Sequence, residues 1–293
     1  MLHRSIRSAW NHFRYIPLLS VLTVSRRRRF EKRSRALGSA VGFVMRWFPP
    51  ALWRFEREVL RVFPNMPRRQ RAELARSMGR AMGRTLFEIY HCAEFQARAD
   101  RFHPAGPGLA ALEAARDSGK GAIVVSGHFG QWEAVRAVLK ARGMETGAIY
   151  RRQPNPHYQR RLRAGIEAGG MPILETGRSG TKSLIRHLRQ GGFMAILLDE
   201  KHPEGEMLPF LGHPALTSTA AAELALKYDL PMVPAYGLRR ADGDSFDVIF
   251  EEPIPHTDAL TMTQAFNDSL SARILADPAQ WYWMLRRWNM PRA

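Results

Sequence analysis

A chain of 293 residues with 45% hydrophobic and 24% charged side chains is long and apolar enough to bury a core, which excludes disorder as its main state. Its single cysteine, Cys92, excludes an intramolecular disulfide and a thiolate zinc cluster, so packing alone holds the core and a reducing, cytoplasm-facing location fits. The balance of 44 Lys and Arg against 27 Asp and Glu, a net +17, points to polyanionic partners: an anionic bilayer surface, a phosphorylated substrate or nucleic acid.

The excess is concentrated at the start, where residues 1–35 hold ten Lys or Arg, including Arg26 to Arg29, Lys32, Arg33 and Arg35, and one acid, Glu31. An apolar run at 16–24 contains Pro17 and is far shorter than the roughly 20 residues of a spanning helix. A second run at 36–53 carries Val41, Phe43, Val44, Met45, Trp47, Phe48, Leu52 and Trp53 but is cut by Arg46 and Pro49-Pro50. Together these runs predict interfacial anchoring, with apolar and Trp side chains at the acyl boundary and arginines at the headgroups. The alternative is a basic tail followed by an ordinary core helix. A signal peptide fits poorly, because the tetra-arginine follows the first run. The expected organisation is therefore a membrane-associating segment, 1–55, and a catalytic domain, 56–293.

Residues 56–100 read as helical, with Leu60, Phe63, Leu74, Met78, Met82, Leu86 and Ile89 at helical spacing. From residue 109 the period alternates. The pattern predicts helices over 109–118, 131–142, 157–168 and 181–189, interleaved with strands over 122–126, 146–150, 171–174 and 193–198. A helix over 217–228, strands over 232–238 and 245–250, a helix over 262–276 and a Trp-rich end follow. Strands apolar on both faces, alternating with helices, predict an α/β fold: a mostly parallel central sheet covered by helices, preceded by the N-terminal helical segment. Sites in such sheets gather at the carboxyl ends of strands.

That end of strand 122–126 carries Gly127-His128-Phe129-Gly130-Gln131-Trp132-Glu133. In one continuous helix, residues five apart lie about 140° apart and could not meet. With His128 in the glycine-flanked turn and Glu133 in the first helical turn, the carboxylate can orient the imidazole as a general base. N–H groups at the helix start are expected to hold an oxyanion. The alternative for this pair is a helix-start histidine bonded to a first-turn acid.

Residues 119–133, GKGAIVVSGHFGQWE, resemble the His-x4-acid block of the bacterial lipid A biosynthesis acyltransferases, within the lysophospholipid acyltransferase superfamily. Further pieces match in order: Gly83-Arg84-Thr85-Leu86-Phe87-Glu88, Tyr150-Arg151 with Asn155-Pro156, Leu198-Asp199-Glu200-Lys201, Pro209-Phe210-Leu211-Gly212, and Gln280-Trp281, Trp283 and Arg286-Arg287-Trp288. The resemblance implies transfer of a fatty acyl chain from a thioester, usually on acyl carrier protein, to a hydroxyl of a lipid A precursor at the cytoplasmic face of the inner membrane. It implies His128 as the base and Glu133 as its orienting partner, and it matches Asp199, at its own strand end, to an acid that is a candidate to position His128, a cation or the acceptor; the alternative for Asp199 is a solvated acid paired with Lys201. Arg151 and Asn155 are candidate ligands of an acceptor phosphate, the alternative being a loop-capping role. Many members carry a functional arginine where Ile166 stands here, and Arg163 is the nearest substitute. No cofactor and no metal are expected. The partners implied are acyl carrier protein, a phosphorylated glycolipid and the anionic inner-membrane surface, and no nucleic acid is expected.

Other chemistries fit less well. Ser126 lacks a Gly-x-Ser-x-Gly frame, and Gly177 to Ser183 lacks the Gly-Lys-Ser of a phosphate loop. Cys92 reads as a small buried hydrophobe, and at least one of Trp281, Trp283 and Trp288 as core. Within the same chemistry the acceptor could be another glycolipid or a lysophospholipid. The contrasting class is a non-enzymatic basic membrane or nucleic-acid binding module, which needs only a basic face, whereas acyl transfer needs an apolar channel beside His128.

Overall fold

The computed structural model describes residues 28–288; the apolar run at 16–24 and Arg26 and Arg27 lie outside them. Three helices come first: α1 Phe30–Trp47, α2 Pro49–Val62 and α3 Arg68–Tyr90. Pro49 and Pro50 cannot continue α1 but suit the first positions of α2, so the break falls between them and Trp47. α1 lies along α3 rather than apart from the body. Each helix presents a Gly-x-x-x-Gly face, Gly38 and Gly42 against Gly79 and Gly83, and a Cβ on Gly79 would stand 2.9 Å from the Cα of Gly42. Only backbone fits there.

The α/β body follows with α4 Cys92–Gln96, β1 Phe102–Ala105, α5 Gly108–Asp117, β2 Ala122–Ser126, α6 Trp132–Ala141 and β3 Thr146–Tyr150. Next come α7 Pro156–Gly169, β4 Ile173–Glu175, α8 Arg178–Arg189, β5 Phe193–Leu197 and a hairpin of β6 Glu206–Phe210 with β7 His213–Thr217. The last elements are α9 Ala220–Tyr228, β8 Met232–Arg239, β9 Phe246–Phe250 and α10 Ala259–Ala276. The central sheet has the order β1-β9-β8-β2-β5-β3-β4 and is parallel except where β8 meets β9. This is the mostly parallel, helix-covered sheet that the alternating pattern predicts.

Every residue of β2 is buried. Ile123 and Val125 pack into a core with Phe266, Leu270 and Trp281, and Ala122 and Val124 into a second core with Val138 and Phe250 on the opposite face. A strand buried on both faces reads as a continuous apolar run, and its end is a fixed platform for whatever follows.

The hydrophobic pattern does not predict the edge strand β1 or the β6–β7 hairpin. Proline normally argues against a strand, but Pro104 lies in β1, an edge strand, and Pro209 pairs opposite Pro214 in an isolated two-stranded ribbon. Such positions tolerate a missing N–H. The helix predicted from 217 begins at Ala220, because Thr217 still belongs to the hairpin. Trp281, Trp283 and Trp288 are all buried, with the rings of Trp281 and Trp283 4.8 Å apart. Arg287 is buried with them and donates to the Leu216 carbonyl and Thr217 hydroxyl of the hairpin.

Candidate active site

The turn after β2 is held from three sides. Tyr282 donates its N–H to the His128 carbonyl at 3.0 Å, and the N–H of Gly130 donates to Gln280 at 2.9 Å. Gln131 N–H donates to Gly237 of β8 at 2.7 Å. From α3, the Thr85 hydroxyl donates to the Gly130 carbonyl at 3.0 Å, and Glu88 accepts from the Gln131 amide at 2.6 Å. Gly130 has φ +60, and a Cβ there would lie 2.1 Å from the Gly237 carbonyl oxygen, so the turn requires glycine. Gln131 then caps α6 by accepting from the Glu133 N–H. These bonds engage the N–H groups of Gly130, Gln131 and Glu133, so these three do not serve as oxyanion donors.

His128 is thereby set at the carboxyl edge of the sheet with 21% of its side chain exposed, beside Asp199, which follows β5 and is fully buried. His128 Nδ1 lies 2.9 Å from Asp199 Oδ1, the His128 backbone N–H donates to Oδ2 at 2.7 Å, and Trp281 Nε1–H donates to the same oxygen at 2.9 Å. A buried carboxylate that accepts from these N–H groups is held in its ionised form. Burial pushes Asp199 up, but charge and hydrogen bonds from His128, with the Trp281 bond, bring it below the ordinary aspartate range. For His128 burial pulls downward, and the Asp199 charge and hydrogen bond, with Glu200, raise the imidazole above its usual value. Because an ionised carboxylate only accepts, the neutral imidazole carries its proton on Nδ1 and keeps its lone pair on Nε2. Glu200 approaches that nitrogen at 4.0 Å.

Glu133 does not orient His128. It sits in the first turn of α6 as expected, but its carboxylate accepts from Arg136 at 2.7 Å, and the Cys92 sulfur lies 3.9 Å away. Arg136 is one turn along the same helix, on the same face, whereas His128 lies beyond the helix start. Burial raises the Glu133 carboxyl, and Arg136 offsets part of that rise. Arg136 completes its bonds on the carbonyls of Thr146, Ile166 and Gly170. Cys92 is buried, and burial pushes its thiol up.

His128 opens onto a cavity of about 470 Å³. Its walls are mainly apolar, with Val124, Trp132, Ala148, Ile149, Ile166 and Ile196 among them, and Glu133 and Arg136 also reach it. The Ser126 hydroxyl on this wall is buried without a hydrogen-bond partner. Arg151 and Glu200 share the same cavity and pair at 3.2 Å, Arg151 being 68% exposed. Asn155 instead caps α7 through the His157 N–H at 3.0 Å. Arg163 pairs with Glu167 at 2.7 Å on an exposed face of α7 and is not among the cavity residues, whereas Ile166 is. The residues missed in the sequence are Glu200, Trp281 and the Thr85 and Glu88 supports. Each stands inside a segment that carries the resemblance, but nothing in those segments assigns it a contact with the His128 turn.

A model of the bacterial lipid A biosynthesis acyltransferases matches residues 7–290. The chain belongs to this family. A phosphatidylinositol mannoside acyltransferase of Mycobacterium tuberculosis strain CDC 1551 / Oshkosh is 27% identical over 187 residues, 62% of this chain and 58% of that protein, and its counterpart in strain H37Rv matches to the same extent. The match thus spans little more than half the length of these relatives. Among lipid A biosynthesis acyltransferase family features, the His-x4-acid block is present here as a turn histidine whose buried carboxylate partner comes from the end of β5.

Proposed function

We propose that the protein is an O-acyltransferase that moves a fatty acyl chain from a thioester to a hydroxyl of a phosphorylated glycolipid, with His128 as general base and Asp199 as its positioning acid. The observation that carries this reading is the cavity of about 470 Å³, lined with apolar side chains and reached by His128. A binding module needs no such channel, and a fatty chain does.

In this reading Asp199 fixes the imidazole with Nε2 unprotonated toward the cavity. The acceptor hydroxyl passes its proton to Nε2 as its oxygen attacks the thioester carbonyl. The tetrahedral adduct then collapses, the carbon–sulfur bond breaks, and the imidazolium returns the proton to the departing thiolate. Asp199 and Glu200 stabilise the imidazolium while it exists. Transfer is direct, without a covalent acyl-enzyme. Arg151, exposed at the mouth, is the candidate grip for an acceptor phosphate.

The finer reading is acyl carrier protein as donor, a lipid A precursor as acceptor, and action at the cytoplasmic face of the inner membrane. Family membership and the +17 charge support it, since an acidic carrier, a phosphorylated disaccharide and an anionic bilayer all bear the complementary sign. No helix among the described residues is long and apolar enough to cross a membrane, so this location implies surface attachment by that part of the chain. A second reading, acylation of another phosphoglycolipid, is favoured by the mycobacterial relatives, whose name is phosphatidylinositol mannoside acyltransferase. Mass spectrometry of lipids from a deletion strain separates the two. Loss of one acyl chain from lipid A is expected; loss from another glycolipid supports the second reading, and an unchanged lipid profile contradicts both.

A further inference from the structure

Away from the His128 cavity, the corner where α1 meets α2 presents apolar side chains to solvent. Phe43, Val44, Trp47, Phe48 and Trp53 are 50–70% exposed. Large aromatic side chains left outside a core in one contiguous stretch mark an interaction surface. The corner belongs to a strongly basic part of the chain: residues 28–80 hold fourteen Lys or Arg against four acids.

Between α1 and α3 this surface contains a pocket of about 390 Å³ lined by Ser39, Phe43, Arg46, Trp47, Arg76 and Arg80. Glu73 pairs with Arg46 and, at 3.5 Å, with Arg76. Arg80 is exposed and has no carboxylate partner among the described residues. Three guanidinium groups against one carboxylate leave the pocket cationic. The Arg46 guanidinium lies 5.3 Å from the Trp47 ring, so the cationic pocket and the aromatic rim are one feature. Guanidinium groups grip phosphate oxygens in forked pairs, and Trp belongs at the boundary between headgroups and acyl chains.

We propose that Arg46, Arg76 and Arg80 form a binding site for the phosphate headgroup of an anionic lipid, with Phe43 and Trp47 inserted beside it into the acyl boundary. The occupant is a bilayer lipid rather than free phosphate, because the exposed aromatic rings border the same pocket and need apolar cover. The proposal rests on the reading that the protein works on a membrane surface, and it makes no use of the chemistry at His128.

The test is flotation of the full-length protein with vesicles of phosphatidylcholine alone and with phosphatidylglycerol added. Wild type is expected to prefer the anionic vesicles. The double variant Arg76→Gln/Arg80→Gln is expected to lose that preference by about tenfold or more, while Arg189→Ala, which removes an exposed arginine of α8, leaves it unchanged. Ser39→Glu places a carboxylate in the pocket from an exposed helical position and should reproduce the loss in a protein that melts like wild type. Acyl transfer to detergent-dispersed acceptor should remain at wild-type level in all of them. Anionic preference that survives both pocket variants overturns the headgroup site and leaves membrane attachment standing. Failure of wild type to float with either vesicle overturns the membrane reading and the site together.

Discussion

Asp199 and Glu133 are both buried carboxylates within the candidate site region, yet their neighbours give them different work. Asp199 holds the imidazole and accepts from Trp281, whereas Glu133 neutralises Arg136 one helical turn away. His128→Ala should abolish transfer with the fold intact by circular dichroism. Asp199→Asn should lower kcat/KM by about 100-fold or more. The pH profile separates these effects from simple damage. A base must be neutral to act, and Asp199 raises His128, so the rate should climb with pH through a midpoint above the ordinary imidazole value of about 6.5. In Asp199→Asn the raising charge is gone while burial remains, so the midpoint should move to lower pH. Glu133→Gln leaves Arg136 buried without a counter-charge and should cost about 3–5 kcal/mol, read as a fall in Tm, with the midpoint of the pH profile unmoved. A midpoint that shifts in Glu133→Gln and stays in Asp199→Asn would return the orienting role to Glu133.

At the scale of elements, α3 connects the N-terminal helices to the catalytic turn. Its Thr85 and Glu88 hold Gly130 and Gln131, and on its other side Ser34 of α1 donates to Glu88 at 2.9 Å. Where Gly79 meets Gly42 there is no room for a side chain, so Gly79→Val should force α1 off α3 and destabilise by roughly 1–3 kcal/mol. Thermal melting checks this, and a Tm equal to that of wild type would show that the contact carries no stability. Periodicity made the β2–α6–β3–α7 alternation legible because those strands are apolar on both faces and the helices have turn residues at their ends. β1 and the β6–β7 hairpin were hidden because proline normally argues against a strand, and their edge or ribbon position is a property of topology, not of local sequence. The site shows the same division. His128 was legible from its glycine-flanked turn at a strand end, and Asp199 from its own strand end. The choice between Asp199 and Glu133 as its partner was not, because it depends on β5 lying beside β2 and on Arg136 sitting on the same helical face as Glu133. Likewise Asn155, Arg163 and Ile166 share one stretch of sequence, but one caps α7, one faces solvent and one lines the cavity.

For the whole molecule, the proposed reading ties substrate sign to the net +17 and acyl chain length to a cavity lined with Ile, Val and Ala side chains. Charged encounter is screened over about 10 Å at 0.1 M salt, so kcat/KM with an acidic carrier should fall steeply as ionic strength rises, while the pH midpoint of the buried pair moves little. Ala148 lies on the cavity wall, and Ala148→Phe should shift the preferred acyl chain to a shorter one, read by competition between thioesters of different length. The proposed reaction is direct acyl transfer driven by His128 beside that cavity. The measurement that bears on it most directly is the mass of the product when purified protein is incubated with an acyl carrier protein thioester and a phosphorylated lipid A precursor. The expected result is an acceptor heavier by one acyl chain with wild type and an unchanged acceptor with His128→Ala of equal thermal stability. Acylation by His128→Ala at the wild-type rate would contradict it.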